Sequence, residues 1–594
     1  MRNLKKVLAL ALATVMLLGM MAMASAKDYV DAEAINDIIA DEEISLNDRA
    51  TLVSAITLST LKCFEPTKID ALCHIATNGC HTLSVRAITG LVIALFQYEE
   101  RLAYYPTIAA ALAALRDNSE ILRRVQTIQI QLLRCRETQK IDRKMREEII
   151  PAMLKNPQLG NGKLSIDILK EIEEDDDKNP EWSKWIENDN IKSKLEEMTK
   201  WQIEGADVYM GTFSQLKNYP FFGEMSNWFR PFDINVPGIS SLLPGNNAAG
   251  DTLLSAICKS PVFCNSDKYS FCLTVQRIPL EQRQALMGQL TGEDGEAMDI
   301  DTYAQANKER FAEIESNSYI QDLYRFFKLW RGHQEEEDIF RWPFNLWENP
   351  WLKEVFSSEE TTKELADYLL QKEYLEEAYT LFQKLTALNT KQAEVYQKAG
   401  FILQKQMHCA DAIQHYKHAD LLQPDNVWTN KHLAQCYRLL GNLPKALVYY
   451  RKVEAVQPDN LNIALQIGQC LARMEQYADA LAYFYKVEYL EKNPDNARRA
   501  IAWCSFVSGK HEEALKYYQL LLAEPSPKAQ DWMNAGHVYF VLHQVPQAIE
   551  HYLKAQSFEK SHTAFVEKFN KDKTALLALG LLEEDLQIML DLIA

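Results

Sequence analysis

Apolar side chains recur every three to four positions along much of the chain after residue 45, the spacing of one buried helix face. From about Asn47 to Leu154 this pattern predicts nearly continuous helix, through LVSAITLSTL (52–61) and SVRAITGLVIALF (84–96), with Ser45 as an N-cap. Between about 157 and 355 the period is lost. That stretch opens on EIEEDDDKNPEW, an acidic break read as a solvated loop, and then turns aromatic: Trp182, Trp185, Trp201, FFGEMSNWFRPFD and LWRGHQEEEDIFRWPFNLWENPW. These aromatics are expected to form packing knots joining the helical regions on either side, with an aromatic ligand pocket as the alternative reading.

The C-terminal part is periodic on a second, longer scale. Ala378, Ala412, Ala446, Ala480, Ala514 and Ala548 are each separated by 34 residues. Four residues after each comes an aromatic: Phe382, Tyr416, Tyr450, Phe484, Tyr518 and Tyr552. Twelve residues before each comes a small residue: Ala366, Gly400, Ala434, Gly468, Ala502 and Gly536. A 34-residue unit of this kind resembles the tetratricopeptide repeat, which implies a pair of antiparallel helices, A and B, whose small residues mark the closest approach. The aromatic of helix B is expected to fill the space between successive repeats. Pro424-Asp425-Asn426 and Pro458-Asp459-Asn460 recur in register, where Pro ends helix B and Asp or Asn caps the next helix A. Pro494-Asp495-Asn496 falls two residues late, which predicts a longer helix B in repeat four and a shorter helix A in repeat five.

These residues resemble the tetratricopeptide repeat, six copies of which would span about 356–562. The segment Val85–Leu95, with its Val-Arg pair, is similar to the second helix of HEAT-type repeats. The order of a helical arm, a middle region and terminal repeats resembles a group of large bacterial repeat proteins. The fold expected is therefore all-α: an α-solenoid with HEAT-like helices over 27–156, an irregular helical middle at 157–355, a tetratricopeptide superhelix, and capping helices over 563–594.

The resemblance also implies a function: a non-enzymatic scaffold that binds a protein or peptide in the groove lined by helix A. The usual groove positions of the family are Trp428, Lys431, Gln435 and Arg438 in repeat three. In repeat four they are Asn462, Leu465, Gln469 and Arg473, and in repeat five Asn496, Arg499, Trp503 and Phe506. The basic members point to an acidic or C-terminal peptide; the opposing reading is of ordinary solvated helix charges, with the Trp and Phe members serving packing. Tetratricopeptide co-chaperones hold a chaperone's terminal carboxylate with a Lys/Asn/Asn/Lys/Arg clamp. Those positions here are Lys431, Gln435, Gln466, Asn496 and Ala500, and since only the first matches, that tail is not the expected ligand.

Other features limit the alternatives. Arg2, Lys5 and Lys6 precede an apolar run, Val7 to Met23, and the A-x-A site Ala24-Ser25-Ala26, the layout of a secretory signal peptide over 1–26. Export to the periplasm or medium is expected, and an exported envelope-assembly or adaptor protein is the alternative to the groove-binding scaffold. Cleavage would lower the formal charge from −18 further, against a nucleic-acid partner. No later stretch is long and apolar enough to span a membrane. The eleven cysteines, several inside helical patterns (Cys436, Cys470, Cys504), favour the cytoplasm as the alternative compartment. CHIATNGCH (73–81) and Cys258, Cys264 and Cys272 lack zinc-site spacing, so no metal is expected. No phosphate loop, nucleophile elbow or dinucleotide fingerprint occurs, so no cofactor is expected, and the enzyme reading falls back on the aromatic middle region. The histidines of the repeats (His408, His415, His418, His432, His537, His551) are expected at the surface or in the groove.

Overall fold

The computed structural model describes residues 32–149, 201, 207, 210–233, 235–236, 239, 263–277, 308–330, 338–388 and 390–594. The expected signal peptide and the acidic break at 171–182 lie outside them. The described residues form helices and connecting turns, with no strand among them. They divide into two compact units, 1–362 and 363–594.

The first unit contains α1 (Ala32–Ala40), α2 (Leu46–Lys62), α3 (Pro66–Asn78), α4 (His81–Gln97), α5 (Pro106–Arg116), α6 (Ser119–Lys144), α7 (Asn265–Arg277) and α8 (Lys308–Leu329). Ser45 caps α2 as expected, accepting from the Asp48 N–H. Every residue from Leu83 to Leu95 of α4 is buried, as a helix apolar on all sides must be. α2, α3, α6 and α8 pack around it. At Gly90 the approach of α2 is so close that a Cβ would lie 2.1 Å from Thr57 Oγ1. Arg86, buried within α4, donates to Ser54 Oγ (2.9 Å) and to the Phe229 carbonyl (2.6 Å), and its guanidinium lies over the Tyr319 ring at 4.6 Å. One side chain thus ties α2, α8 and the 210–233 segment to the central helix.

Of the aromatic stretches, the described residues at 221–233 and 338–351 pack inside this unit, while Trp182 and Trp185 lie outside the described residues. Trp228 and Phe229 meet Phe326 of α8 edge-on, at 5.9 and 4.8 Å. Trp342 and Phe344 pack on Phe96 of α4. Polar side chains then hold the irregular backbone at 344–351, which has no helix to satisfy its own groups. Gln129 of α6 donates to the Phe344 carbonyl (2.9 Å) and accepts from the Leu346 N–H (3.1 Å). Asn349 donates to the Leu95 carbonyl (3.1 Å), and Trp351 Nε1 to that of Glu99 (3.1 Å).

A charged cluster is buried in the same unit. Arg325 of α8 contacts Asp207 (2.7 Å) and, through Nε, Asp267 of α7 (2.7 Å). Lys217 reaches Asp267 (2.9 Å), Ser266 and Ser270. Burial alone would push the Asp267 carboxyl up, but Arg325 and Lys217 together hold it below the usual carboxylate range.

The second unit is a stack of helical pairs. Helices A are α9 (Glu359–Gln371), α11 (Ala393–Lys405), α13 (Val427–Leu439), α15 (Leu461–Arg473), α17 (Asp495–Val507) and α19 (Ala529–Val541). Helices B are α10 (Leu375–Ala387), α12 (Cys409–Leu422), α14 (Leu443–Val456), α16 (Tyr477–Leu490), α18 (His511–Leu522) and α20 (Val545–Gln556). The six register alanines and their aromatics are at most 1% exposed. The aromatic packs within its own repeat as well as between repeats. A Cβ on Gly400, Gly468 or Gly536 would lie 2.8, 2.5 or 2.6 Å from the ring of Tyr416, Phe484 or Tyr552. Tyr416 also meets Trp428 of the next repeat at 5.8 Å.

Each A–B turn has the same backbone. Glu373, Met407, Gly441, Glu475, Gly509 and His543, 34 residues apart, all have φ from 59° to 78°. The N–H of the following residue bonds back to the fifth carbonyl before it at 2.8–2.9 Å, from Tyr374, His408, Asn442, Gln476, Lys510 and Gln544. This is the Schellman closure of helix A. Asn426 and Asn460 cap the next helix A, accepting from Thr429 and Ile463 N–H.

One expectation is corrected at Pro494. α16 has 14 residues, like α14, and α17 has 13, like α13 and α15. The late proline takes the N-cap position itself, so Asn496 falls inside the first turn and the helix lengths are unchanged. The tail forms α21 (His562–Lys571), α22 (Lys573–Ala578) and α23 (Glu583–Leu592), with Gly580 at φ 99° between the last two. Phe565, Phe569, Leu576, Leu586 and Met589 extend the core of repeats five and six.

Two outcomes follow. Gly468→Ala should destabilise the array by about 1–3 kcal/mol through overpacking against Phe484, although the same change in an open helix stabilises by about 1 kcal/mol; denaturant unfolding gives the sign. Arg325→Met should destabilise the first unit by about 3–5 kcal/mol, because two carboxylates stay buried with fewer cations, read from tryptophan fluorescence during urea unfolding. Because the Asp267 pKa is depressed, its contribution is present above the unfolded carboxylate pKa of about 4 and should be lost as pH falls through the lower folded value.

Candidate functional site: the helix-A face of repeats three to five

The predicted groove residues lie on α13, α15 and α17, and their surroundings differ. Trp428 is buried against His432, with ring centroids 3.8 Å apart, and near Phe401. Phe506 is also buried, and Trp503 packs beside it at 5.7 Å. Gln435 accepts from Gln404 Nε2 (3.0 Å), while Gln404 Oε1 accepts from the Tyr416 hydroxyl (2.8 Å) and contacts His432 Nδ1 (2.9 Å). Arg499 makes a two-pronged pair with the buried Asp531 of α19, at 2.8 and 3.0 Å. Its charge is therefore committed to the junction of repeats five and six.

Ion pairs also cross the helix-A face of repeats one and two. Lys398 meets Asp367 at 2.8 Å and Lys363 meets Glu394 at 3.0 Å. The members left toward solvent are Lys431, Leu465 and Gln469, half-buried, and Asn462, Arg473 and Asn496, exposed. Arg438 is half-buried beside Tyr450, whose hydroxyl pKa burial pushes up to about 12 against the opposing pull of that guanidinium. Arg438 and Arg473 both act electrostatically on the Cys470 thiol, after burial, and no carboxylate does.

The expectation that the repeat histidines lie at the surface or in the groove is corrected for two of them. His432 and His537 are 2% and 0% exposed. His537 Nδ1 is 2.8 Å from the Tyr552 hydroxyl and Nε2 is 3.4 Å from Asp572, joining repeat six to the cap. For His432, burial first and then the Lys431 and Lys405 charges lower the pKa to about 3.

A ladder on helix B escaped sequence reasoning. Tyr483 donates to Glu454 (3.1 Å) and Tyr517 to Glu488 (2.9 Å), each bridging adjacent repeats. The signal was available: both pairs are 29 residues apart and repeat at 34. In the first unit, the Cys73-to-His81 stretch is divided, with Cys73 buried on α3, His74 exposed, and His81 bound to Glu315 at 3.1 Å.

The pairs α9/α10 to α19/α20 have the 34-residue register and helix-pair geometry that tetratricopeptide repeats have. Solved structures similar to this chain include YrrB, described as a tetratricopeptide repeat protein with an unusual peptide-binding site (21% identity, 32% of this chain and 96% of that one, TM-score 0.28). Others are a tetratricopeptide repeat protein from Parabacteroides merdae (17%, 40% and 98%, TM-score 0.32) and PilF of Pseudomonas aeruginosa (16%, 36% and 97%, TM-score 0.29). No family model and no curated protein matches the chain.

Because the His432 pKa is depressed, the unfolded chain takes up a proton near pH 6.5 that the folded site refuses. Its share of stability should be complete above about pH 6.5 and decline as pH falls toward the folded value of about 3. An NMR titration should find the His432 imidazole neutral at pH 5; a midpoint near the free-histidine value would refute the burial argument.

Proposed function

We propose that the chain is a non-enzymatic scaffold whose helix-A face in repeats three to five holds a protein or peptide partner carrying carboxylates. The observation that supports this most is the surplus of donors there. Among the described residues, the side chains of Gln469, Arg473 and Asn496 have no hydrogen-bond or ion-pair partner, and Arg438 and Arg473 both act electrostatically on the Cys470 thiol. Guanidinium and amide groups so placed suit carboxylates and extended backbone carbonyls. Lys431 and Asn462 lie on the same helix-A face. Arg499 contributes by holding α17 to α19, and Gln435 by holding α13 to α11. The N-terminal sequence supports an exported protein, and mature protein beginning at Lys27 would agree with that part; an envelope-assembly or adaptor role is the alternative reading.

The test is capture of full-length protein on an immobilised library of acidic peptides. The double variant Arg438→Glu/Arg473→Glu, with native circular dichroism, should lose at least about tenfold in affinity, and wild-type binding should weaken with salt. Unchanged affinity and salt dependence would overturn the charged-face reading.

A further inference from the structure

Cys436, Cys470 and Cys504 take the same helix-A position in three successive repeats, and all are buried. Twenty-seven residues before each stands the first residue of the preceding helix B: Cys409, Leu443 and Tyr477. α12 packs on α13, α14 on α15, and α16 on α17. Because the chain reverses between each pair, the start of helix B lies beside the end of the next helix A. The electrostatics agree with this adjacency, since Cys504 acts on the Tyr477 hydroxyl and Cys409 acts on the Cys436 thiol, both cysteines of the latter pair being free thiols in the structure. Of these three equivalent pairs, only the first contains two thiols.

We propose that Cys409 and Cys436 form a disulfide that staples repeat two to repeat three. The oxidant required is a low-molecular-weight disulfide of the glutathione type. One cysteine thiolate attacks a sulfur of that disulfide, breaking its S–S bond and releasing one thiolate. The second cysteine thiolate attacks the resulting mixed disulfide, forms the Cys409–Cys436 bond and releases the other. The two cysteines lose two electrons and two protons; the incoming disulfide gains both and leaves as two thiols. Cys409 and Cys436 are 3% and 0% exposed, so the folded core shields both from the reagent. Closure belongs to folding, before α12 docks on α13, and the finished bond is then protected from reduction by the same packing.

This proposal is independent of the partner-binding reading. The test refolds the full-length chain from denaturant in mixed oxidised and reduced glutathione, followed by alkylation and mass spectrometry of a non-reduced digest. The expected product is a peptide pair joining Cys409 to Cys436, with a Tm several degrees above that of reduced protein. Cys436→Ser should leave Cys409 alkylated and remove the Tm response. Leu443→Cys, placed by the repeat symmetry, should gain a second bond to Cys470. If protein that has regained its helical circular dichroism carries both thiols alkylated, or joins either to a different cysteine, the proposal is overturned.

Discussion

The second unit depends on how closely helix A can approach helix B. At Gly400, Gly468 and Gly536 the ring four residues past the register alanine occupies the place a methyl group would take. Alanine serves at the other three copies, so the spacing tolerates one carbon in some repeats and none in others. Once the pair is set at that distance, the ring's other side is available to the next repeat, as Tyr416 shows against Trp428. Each repeat therefore offers an apolar face that only another repeat or a cap can cover, and α21 to α23 supply the cap.

The first unit is organised differently. α8 packs on α4 and α6 although some two hundred residues separate them, and the aromatic segments fill the spaces between. Its buried charges are grouped so that Arg325 and Lys217 face Asp207 and Asp267. Such a cluster costs desolvation, which the opposed charges and their hydrogen bonds offset only while each member stays paired.

The groove positions illustrate how far sequence could go toward a site. The resemblance to tetratricopeptide repeats placed Lys431, Arg438, Arg473 and Arg499 on one type of helix face. It could not show that Arg499 is matched by Asp531, because that carboxylate belongs to the next repeat and is buried by the stacking itself. The same holds for His432, whose polar side chain would suit solvent but is enclosed by Trp428, Phe401 and Tyr416. At Pro494 the rule that proline ends helix B was sound. The departure arose because a proline is equally compatible with the beginning of a helix.

The amino-acid sequence by itself determined the repeat, its register and the identity of its close contacts, since a 34-residue spacing of small and aromatic residues is local information copied six times. It also determined the helical character of 47–149. What only the tertiary structure decided was the content of contacts between distant or successive elements: which cations are already paired, which histidines are enclosed, and that the aromatic middle segments pack with α4, α6 and α8. Those outcomes depend on desolvation and on partners brought together by packing, and neither quantity is written in the spacing of residues along one helix.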